Sequence, residues 1–427
     1  MAAVSPFRGW RFNPETVGDM ASVLCPPYDM INAEEQEELK ARNQYNAIHL
    51  EASEGLDWNT SVKEQYAATS DLFDRWRADG VLCRDAEPSY YLMRHSFPMG
   101  GKDMVRVGLI ASVGLEDYGT RQVLPHELTQ APAIQDRVWL MESLSANISP
   151  IMSIYRDAEG VLDRLYKQVM SSAPEFDAKD ESGSATTLWR IADPAIQNQI
   201  GEFFSARPIY LADGHHRYEA ARQYQLDRHA EDPSAKAANL AHNFVMMTLI
   251  SFDDPGLVLL GYHRTLNDVP EAKLTNIKAK LDELFDSEPA TGNSDALVEQ
   301  VNRMGANRRL LASVDSGGAK MLTLKDSAID PSWGSLAESE AWVLEDQVLR
   351  PELGEATLEH LGFMHDHEEA VGQAKSGELQ MVFLLKPFPL DAFEGIVGGG
   401  QRLPRKSTFF FPKLPTGLVI NRLEGEL

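Results

Sequence analysis

Cysteine is scarce: Cys25 and Cys83 are the two present in 427 residues. Neither belongs to a C-x-x-C pair or to a Cys/His spacing suited to zinc, which excludes a zinc module. Long apolar runs are lacking too. The best, Phe244 to Phe252, falls far short of the roughly 20 residues a helix needs to cross a bilayer. Met1 to Glu15 has no basic start followed by an apolar stretch, so no signal peptide is expected and a reducing cytoplasm is the expected location. Positive charge is in deficit, with 40 Lys and Arg against 64 Asp and Glu, a net charge of −24. Such an excess repels nucleic-acid backbones and anionic headgroups at long range, so neither a nucleic acid nor a membrane is an expected partner. Repeats, low-complexity tracts, a basic tail and a DNA-reading helix-turn-helix are also missing.

What is present is an ordinary globular mixture, 43% hydrophobic and 24% charged, in a chain too long for one small core. Three parts are expected, 1–120, 121–265 and 266–427. Asn32 with Glu35 three residues on predicts a capped helix to about Arg42. Ala47 to Glu51 reads as a short strand, and Tyr66 to Asp79 as a helix stopped by Gly80. Ser89 to Phe97 and Met104 to Leu115 read as strands joined by a hairpin tip at Gly100-Gly101. Further along come a helix over Asp136 to Asn147, a strand over Ser149 to Tyr155 and a polar surface loop over Ser171 to Thr187. Asn243 to Phe252 and Leu257 to Tyr262 follow as buried strands, and Glu271 to Phe285 as a helix. Strand runs outnumber clean βαβ units, so the expected class is α+β, with mixed, largely antiparallel sheets flanked by helices.

The sharpest feature runs from Arg207 through Asp213-Gly214-His215-His216-Arg217 to Ala221. An apolar strand enters a tight turn, and a helix starts there. Gly214 allows positive φ or a close backbone approach. A helix start offers unpaired N–H groups and the positive end of the macrodipole, which suit an anion. His215, His216 and Arg217 add donors at the same turn. Asp213 can hold a divalent cation, magnesium being the candidate, or accept a proton. The alternative is a simple helix cap with histidines bonded to buried carbonyls.

The run Ala-Asp-Gly-His-His-Arg-Tyr-Glu-Ala-Ala resembles the signature of domain-of-unknown-function family 1015. Pro6-Phe7-Arg8, Pro26-Pro27-Tyr28-Asp29, Pro125-His126-Glu127-Leu128-Thr129, Asp136-Arg137, Lys406-Ser407-Thr408 and Pro412-Lys413-Leu414 fit in order, nearly end to end. Asp-Gly-His-His-Arg opening a helix is also similar to the phosphate-binding box of the ParB/sulfiredoxin fold, whose members include CTP-binding partition proteins and kinases of free serine. That resemblance implies a ParB/sulfiredoxin-like core with Asp213 to Ala221 facing nucleotide phosphates. This chain is much longer than those domains, and the likeness is local.

Phosphoryl transfer needs a carboxylate for the substrate hydroxyl proton and cations for the transferring oxygens. Glu127, Asp213 and His216 are the candidate catalytic residues, Glu127 as base. Gly214, His215, Arg217, His126, Arg264, Lys406, Ser407 and Thr408 are candidates to hold ATP or ADP. Arg137 is a candidate clamp for a substrate carboxylate, with Tyr28 lining the pocket. Arg402, Arg405, Lys406 and Lys413 cluster in an acidic chain, although Arg405 stands where a P-loop needs glycine before its lysine. Phe409-Phe410-Phe411 reads as a core strand. His365-Asp366-His367-Glu368 reads as helix-start charge more than as a metal site.

The expected function is nucleotide-dependent phosphoryl transfer on a small hydroxylated metabolite, with serine or phosphoserine as candidates and a phosphorylated small molecule as partner. Two alternatives stand beside it: a non-catalytic nucleotide-binding regulator, and a metal-dependent phosphohydrolase using His126, Asp213, His215 and His216. Self-association is left open.

Overall fold

In the computed structural model, which describes residues 3–51, 62–303 and 310–427, contacts group the chain into two units. The first comprises Met1–Pro125, Thr129–Val258 and Pro412–Leu427; the second comprises His126–Leu128 and Leu259–Phe411. The expected border at 120/121 lies within the first unit, and that at 265/266 within the second.

The first unit is built on a nine-stranded sheet. Its strands are β1 (Val4–Ser5), β2 (Tyr90–Met99), β3 (Lys102–Gly114), β4 (Val123–Leu124), β5 (Ile151–Tyr155), β6 (Phe176–Lys179), β7 (Ala185–Ile191), β8 (Ile209–Asp213) and β9 (Phe244–Ser251). The order is β4-β8-β5-β9-β3-β2-β7-β6, with β1 beside β3. Pairing is antiparallel except for β4–β8 and β5–β9. Gly100 and Gly101, both at positive φ, make the expected hairpin tip between β2 and β3. Strand β9 is buried at every position but its last, as its apolar run, interrupted by Thr248 alone before the final serine, requires.

The helices that shape the site are α1 (Ala33–Arg42), α2 (Val62–Ala78), α3 (Ala131–Leu144) and α4 (His215–Glu231). Asn32 and Glu35 form the expected capping box of α1. Helix α4 buries Tyr218, Ala220, Ala221 and Tyr224 in one apolar cluster with Leu211, Met247 and Leu249 of the sheet. Each large side chain so buried contributes about 1.5–3 kcal/mol. A second cluster joins Phe12, Ile48, Leu50, Tyr66, Phe73 and Trp76 to Leu140 and Leu144 of α3.

The second unit is a six-stranded antiparallel sheet. Its strands are β10 (His263–Leu266), β11 (Phe285–Ala290), β12 (Leu310–Asp315), β13 (Gly318–Leu324), β14 (Leu361–Met364) and β15 (Met381–Leu385), ordered β11-β13-β12-β15-β10-β14. Alternate residues face opposite sides: Leu311 and Phe383 join a cluster with α5 (Glu271–Leu284), whereas Ala312 and Val382 join another with α6 (Ser294–Arg303) and α7 (His367–Ser376). The fold is therefore α+β with largely antiparallel sheets. No helix among the described residues is long and apolar enough to cross a membrane.

Three local expectations need correction. Ile48–Glu51 is a helical turn rather than a strand. The Asn46 side chain accepts from the Ile48 N–H and donates to the Ser22 and Leu24 carbonyls, and such local bonding draws the backbone out of a ladder. The polar stretch read as a loop over Ser171 to Thr187 contains β6 and the start of β7, because its polar residues alternate along the edge of a sheet. The run Leu257 to Tyr262 is not one strand; Val258–Leu260 and β10 are separate.

Candidate functional site

Strand β8 pairs with β5 through Leu211, opposite Ser153. Asp213 then faces Met152, so Ala212 is the extra residue of a bulge. A bulge bends the strand and re-aims the side chain that follows. Gly214, next in the chain, has φ 94° and ψ 30°. A Cβ there would also sit 3.0 Å from Nε and Nη2 of Arg217. Glycine is thus favoured both by the left-handed backbone and by the guanidinium lying over it.

Arg217, in the first turn of α4, is the hub. Its Nη1 donates to Ser149 Oγ at 2.6 Å and to the Pro150 carbonyl at 2.7 Å, and its Nη2 donates to Asp213 Oδ2 at 2.8 Å. Lys413 Nζ donates to the other carboxylate oxygen, Oδ1. Burial alone would raise the Asp213 pKa, but Lys413 and then Arg217 more than offset it and hold the carboxyl well below the usual range. Two cations around one carboxylate leave a surplus of one positive charge at a helix start. His215 is buried and His216 half-buried. His216 Nε2 accepts the Gln130 N–H at 3.0 Å, so that nitrogen carries no proton.

Both Asp213 oxygens are engaged by side-chain cations, which does not suit a resident magnesium ion. Among the described residues there is no group of three or more His, Cys, Asp or Glu able to hold a metal. This corrects the phosphohydrolase alternative built on His126, Asp213, His215 and His216. His365 and His367 are covered by the same observation: His367 bonds Asp295 at 2.8 Å, and Asp366 caps α7.

Asp136 and Arg137 lie on α3 and are both buried, not a solvated surface pair. Arg137 Nε donates to Asp136 at 2.7 Å, Nη1 to the Glu51 carbonyl and Nη2 to Tyr66 Oη. Its guanidinium centre lies 3.9 Å from the Tyr28 ring centroid, within cation–π range. Burial pushes the Tyr28 hydroxyl up to about 12.

His126, Glu127, Arg264, Lys406, Ser407 and Thr408 belong to the second unit. There His126 Nε2 lies 2.7 Å from Thr408 Oγ1 and 3.5 Å from Glu127 Oε1, with its ring edge-on to Phe393. Arg402 Nη1 donates to the Glu127 carbonyl, and Ser407 Oγ to that of Pro404. Lys406 adopts a left-handed φ of 55°, with Nζ 5.3 Å from the Tyr262 ring centroid. The expected core strand Phe409–Phe411 is present.

Arg264, expected at the cofactor, is fully engaged within this unit. Nε and Nη2 bind Glu345, Nη1 binds the Tyr262 and Lys406 carbonyls, and Nη2 also binds that of Arg405. All five donors of a guanidinium are thereby used. The correction is that Arg264 holds the backbone of the Lys406-Ser407-Thr408 loop instead of offering hydrogen bonds to a ligand.

Ser149, Glu51 and the role of Lys413 as partner of Asp213 escaped the sequence reading. Lys413 carried one usable signal, its place in a basic cluster of an acidic chain; Glu51 and Ser149 carried none.

Among solved structures, a conserved hypothetical protein from Pyrococcus furiosus is similar at 11% identity and TM-score 0.34, covering 73% of this chain and 95% of its own. Free serine kinase in complex with AMP is similar at 11% identity and TM-score 0.35, covering 73% and 92%. SbnI from Staphylococcus aureus with a C-terminal truncation gives 9% identity and TM-score 0.36, covering 74% and 87%. No curated protein matches the chain significantly. The family model described as protein of unknown function DUF1015 matches residues 4–339, and the chain belongs to that family.

Proposed function

We propose that this protein is a nucleotide-dependent phosphotransferase acting on a small hydroxylated metabolite, with serine or phosphoserine as the candidate substrates. The observation that carries the reading is the Asp213–Arg217–Lys413 cluster at the start of α4, a positive surplus held in a chain of net charge −24. A helix N-terminus with excess cation is where an oxyanion is most stabilised. Arg217 retains its Nε–H and one Nη2 hydrogen for such a ligand. The resemblance of Asp213 to Ala221 to a phosphate-binding box supports the same assignment.

In the forward direction the substrate hydroxyl oxygen bonds to the terminal phosphorus of ATP or ADP. The bridging P–O bond breaks, the shortened nucleotide leaves, and the hydroxyl proton passes to Glu127. The Gln130 N–H is fixed to His216. His216 orients that segment through Nε2, and Asp213 sets the positions of Arg217 and Lys413. No step is assigned to magnesium, since Asp213 has no oxygen to spare for a resident ion.

Thermal shift with ATP, ADP and CTP tests the binding, because a ligand specific for the folded state raises the melting temperature. Phosphorus NMR of the nucleotide incubated with serine tests the transfer. Glu127→Gln is expected to retain the nucleotide shift and lose turnover by about 10²-fold or more. Unchanged turnover would remove Glu127 as base, and no shift with any nucleotide would refute the reading.

A further inference from the structure

On one face of the six-stranded sheet, Leu311, Leu322 and Phe383 pack with Leu281 of α5. Further along β12 the same face presents Ser313 and then Asp315, because side chains alternate along a strand. These polar groups give the helix nothing apolar to cover, and a cavity of about 480 Å³ opens beside the Gly317-Gly318 hairpin tip. That volume lies in the range of about 300–1,000 Å³ occupied by small-molecule sites. Leu281, Leu322 and Met381 supply its apolar lining. Ser313 and Lys320 stand directly opposite each other in the β12–β13 ladder, so their side chains are neighbours on the cavity wall.

The charges of the cavity are only partly matched. Asp315 Oδ2 accepts from Lys278 Nζ at 2.8 Å and Oδ1 from the Gly317 N–H at 2.9 Å. Burial would raise the Asp315 pKa, but these bonds and the charges of Lys278 and Lys320 hold it below the usual range. Lys320 is therefore a second cation beside a carboxylate already engaged, and among the described residues neither its ammonium nor the Ser313 hydroxyl has a hydrogen bond of its own. Asp282 lies one turn along α5 from Lys278, whose ammonium is turned to Asp315, and its carboxylate has no cation among the described residues. The sheet wall thus offers an ammonium and a hydroxyl, the helix wall a carboxylate, and both walls apolar surface. A simple acid would meet Asp282 unfavourably, and a simple amine Lys320. A zwitterion with an apolar side chain answers all of these groups.

We propose that this cavity binds a free α-amino acid with an apolar side chain, its carboxylate on Lys320 and Ser313, its ammonium on Asp282, and its side chain against Leu281, Leu322 and Met381. The site lies wholly within the second unit and does not rest on the phosphotransferase reading. A saturation-transfer NMR titration of the full chain compares leucine with isocaproate, which lacks the ammonium, and isoamylamine, which lacks the carboxylate. Leucine is expected to bind about 5-fold more tightly than either, the worth of one partly exposed charged contact. Lys320→Met should level leucine with isoamylamine, and Asp282→Asn should level it with isocaproate; neither side chain is buried. No binding of leucine, equal affinities for the three ligands, or a leucine preference unmoved by both substitutions would overturn the proposal, and the wild-type comparison stands whether or not the variants fold. Leucine binding in a chain that shows no nucleotide shift would uphold this site while refuting the phosphotransferase reading.

Discussion

Replacing Gly214 by alanine tests the turn at its tightest point. A non-glycine residue in the left-handed region costs about 1–2 kcal/mol. The added Cβ would lie 3.0 Å from two nitrogens of Arg217, so the guanidinium must give by a few tenths of an ångström, which strains its bonds to Ser149 and Asp213. Weakening one charge-assisted hydrogen bond costs up to about 1.5–3 kcal/mol more, giving about 2.5–5 kcal/mol in all. Gly160 supplies the control. It also precedes a helix in left-handed conformation, at φ 62° and ψ 36°, but a Cβ there meets nothing nearer than 3.7 Å. Gly160→Ala should therefore show the backbone cost alone. Urea unfolding of both variants measures the difference, which is expected to be at least about 1.5 kcal/mol. Equal losses would refute the claim that Arg217 occupies the space over Gly214.

Two further outcomes follow from the ion pairs. Asp213 has a folded pKa below its ordinary value near 3.8, so its stabilisation is fully present above that pH and is lost as the pH falls below it toward the folded value. Asp213→Asn should cost about 1.5–3 kcal/mol at neutral pH, by weakening charge-assisted bonds to two partly buried cations, with the gap to wild type narrowing below pH 4 in acid-unfolding curves; a constant gap would contradict the pairing. Arg264→Met leaves Glu345 buried without its cation and should cost about 3–5 kcal/mol in urea unfolding, whereas pairing it with Glu345→Leu should recover part of that loss. No recovery in the double variant would show that the loop carbonyls, and not the ion pair, account for the stabilisation.

The turn was legible because its information is local. Glycine before two histidines and an arginine, after an apolar strand, specifies a strand, a left-handed residue and a helix within ten positions. The Gly100-Gly101 hairpin and the Asn32/Glu35 cap were readable for the same reason. What sequence could not supply was pairing at a distance. Lys413 meets a carboxylate 200 residues away, and nothing local distinguishes it from a solvated lysine. The bulge at Ala212 depends on the register of β8 against β5, so no pattern within β8 announces it. Glu51 follows a run that alternates like a strand, and its burial arises only when Arg137 and Tyr28 arrive from elsewhere. Arg264 looked like a ligand donor because arginine after a strand often is; five acceptors supplied by tertiary structure decided otherwise.

The separation of Asp213 from Lys413 has a kinetic corollary. The first unit is interrupted after Val258 and resumes at Pro412, so a ribosome must finish the entire second unit before the lysine emerges. Non-local closure of this kind slows assembly, and a nascent product stopped short of Pro412 would carry α4 and Gly214 with one of the two cations missing. The charge cluster is completed only after the chain has passed through the whole of the second unit.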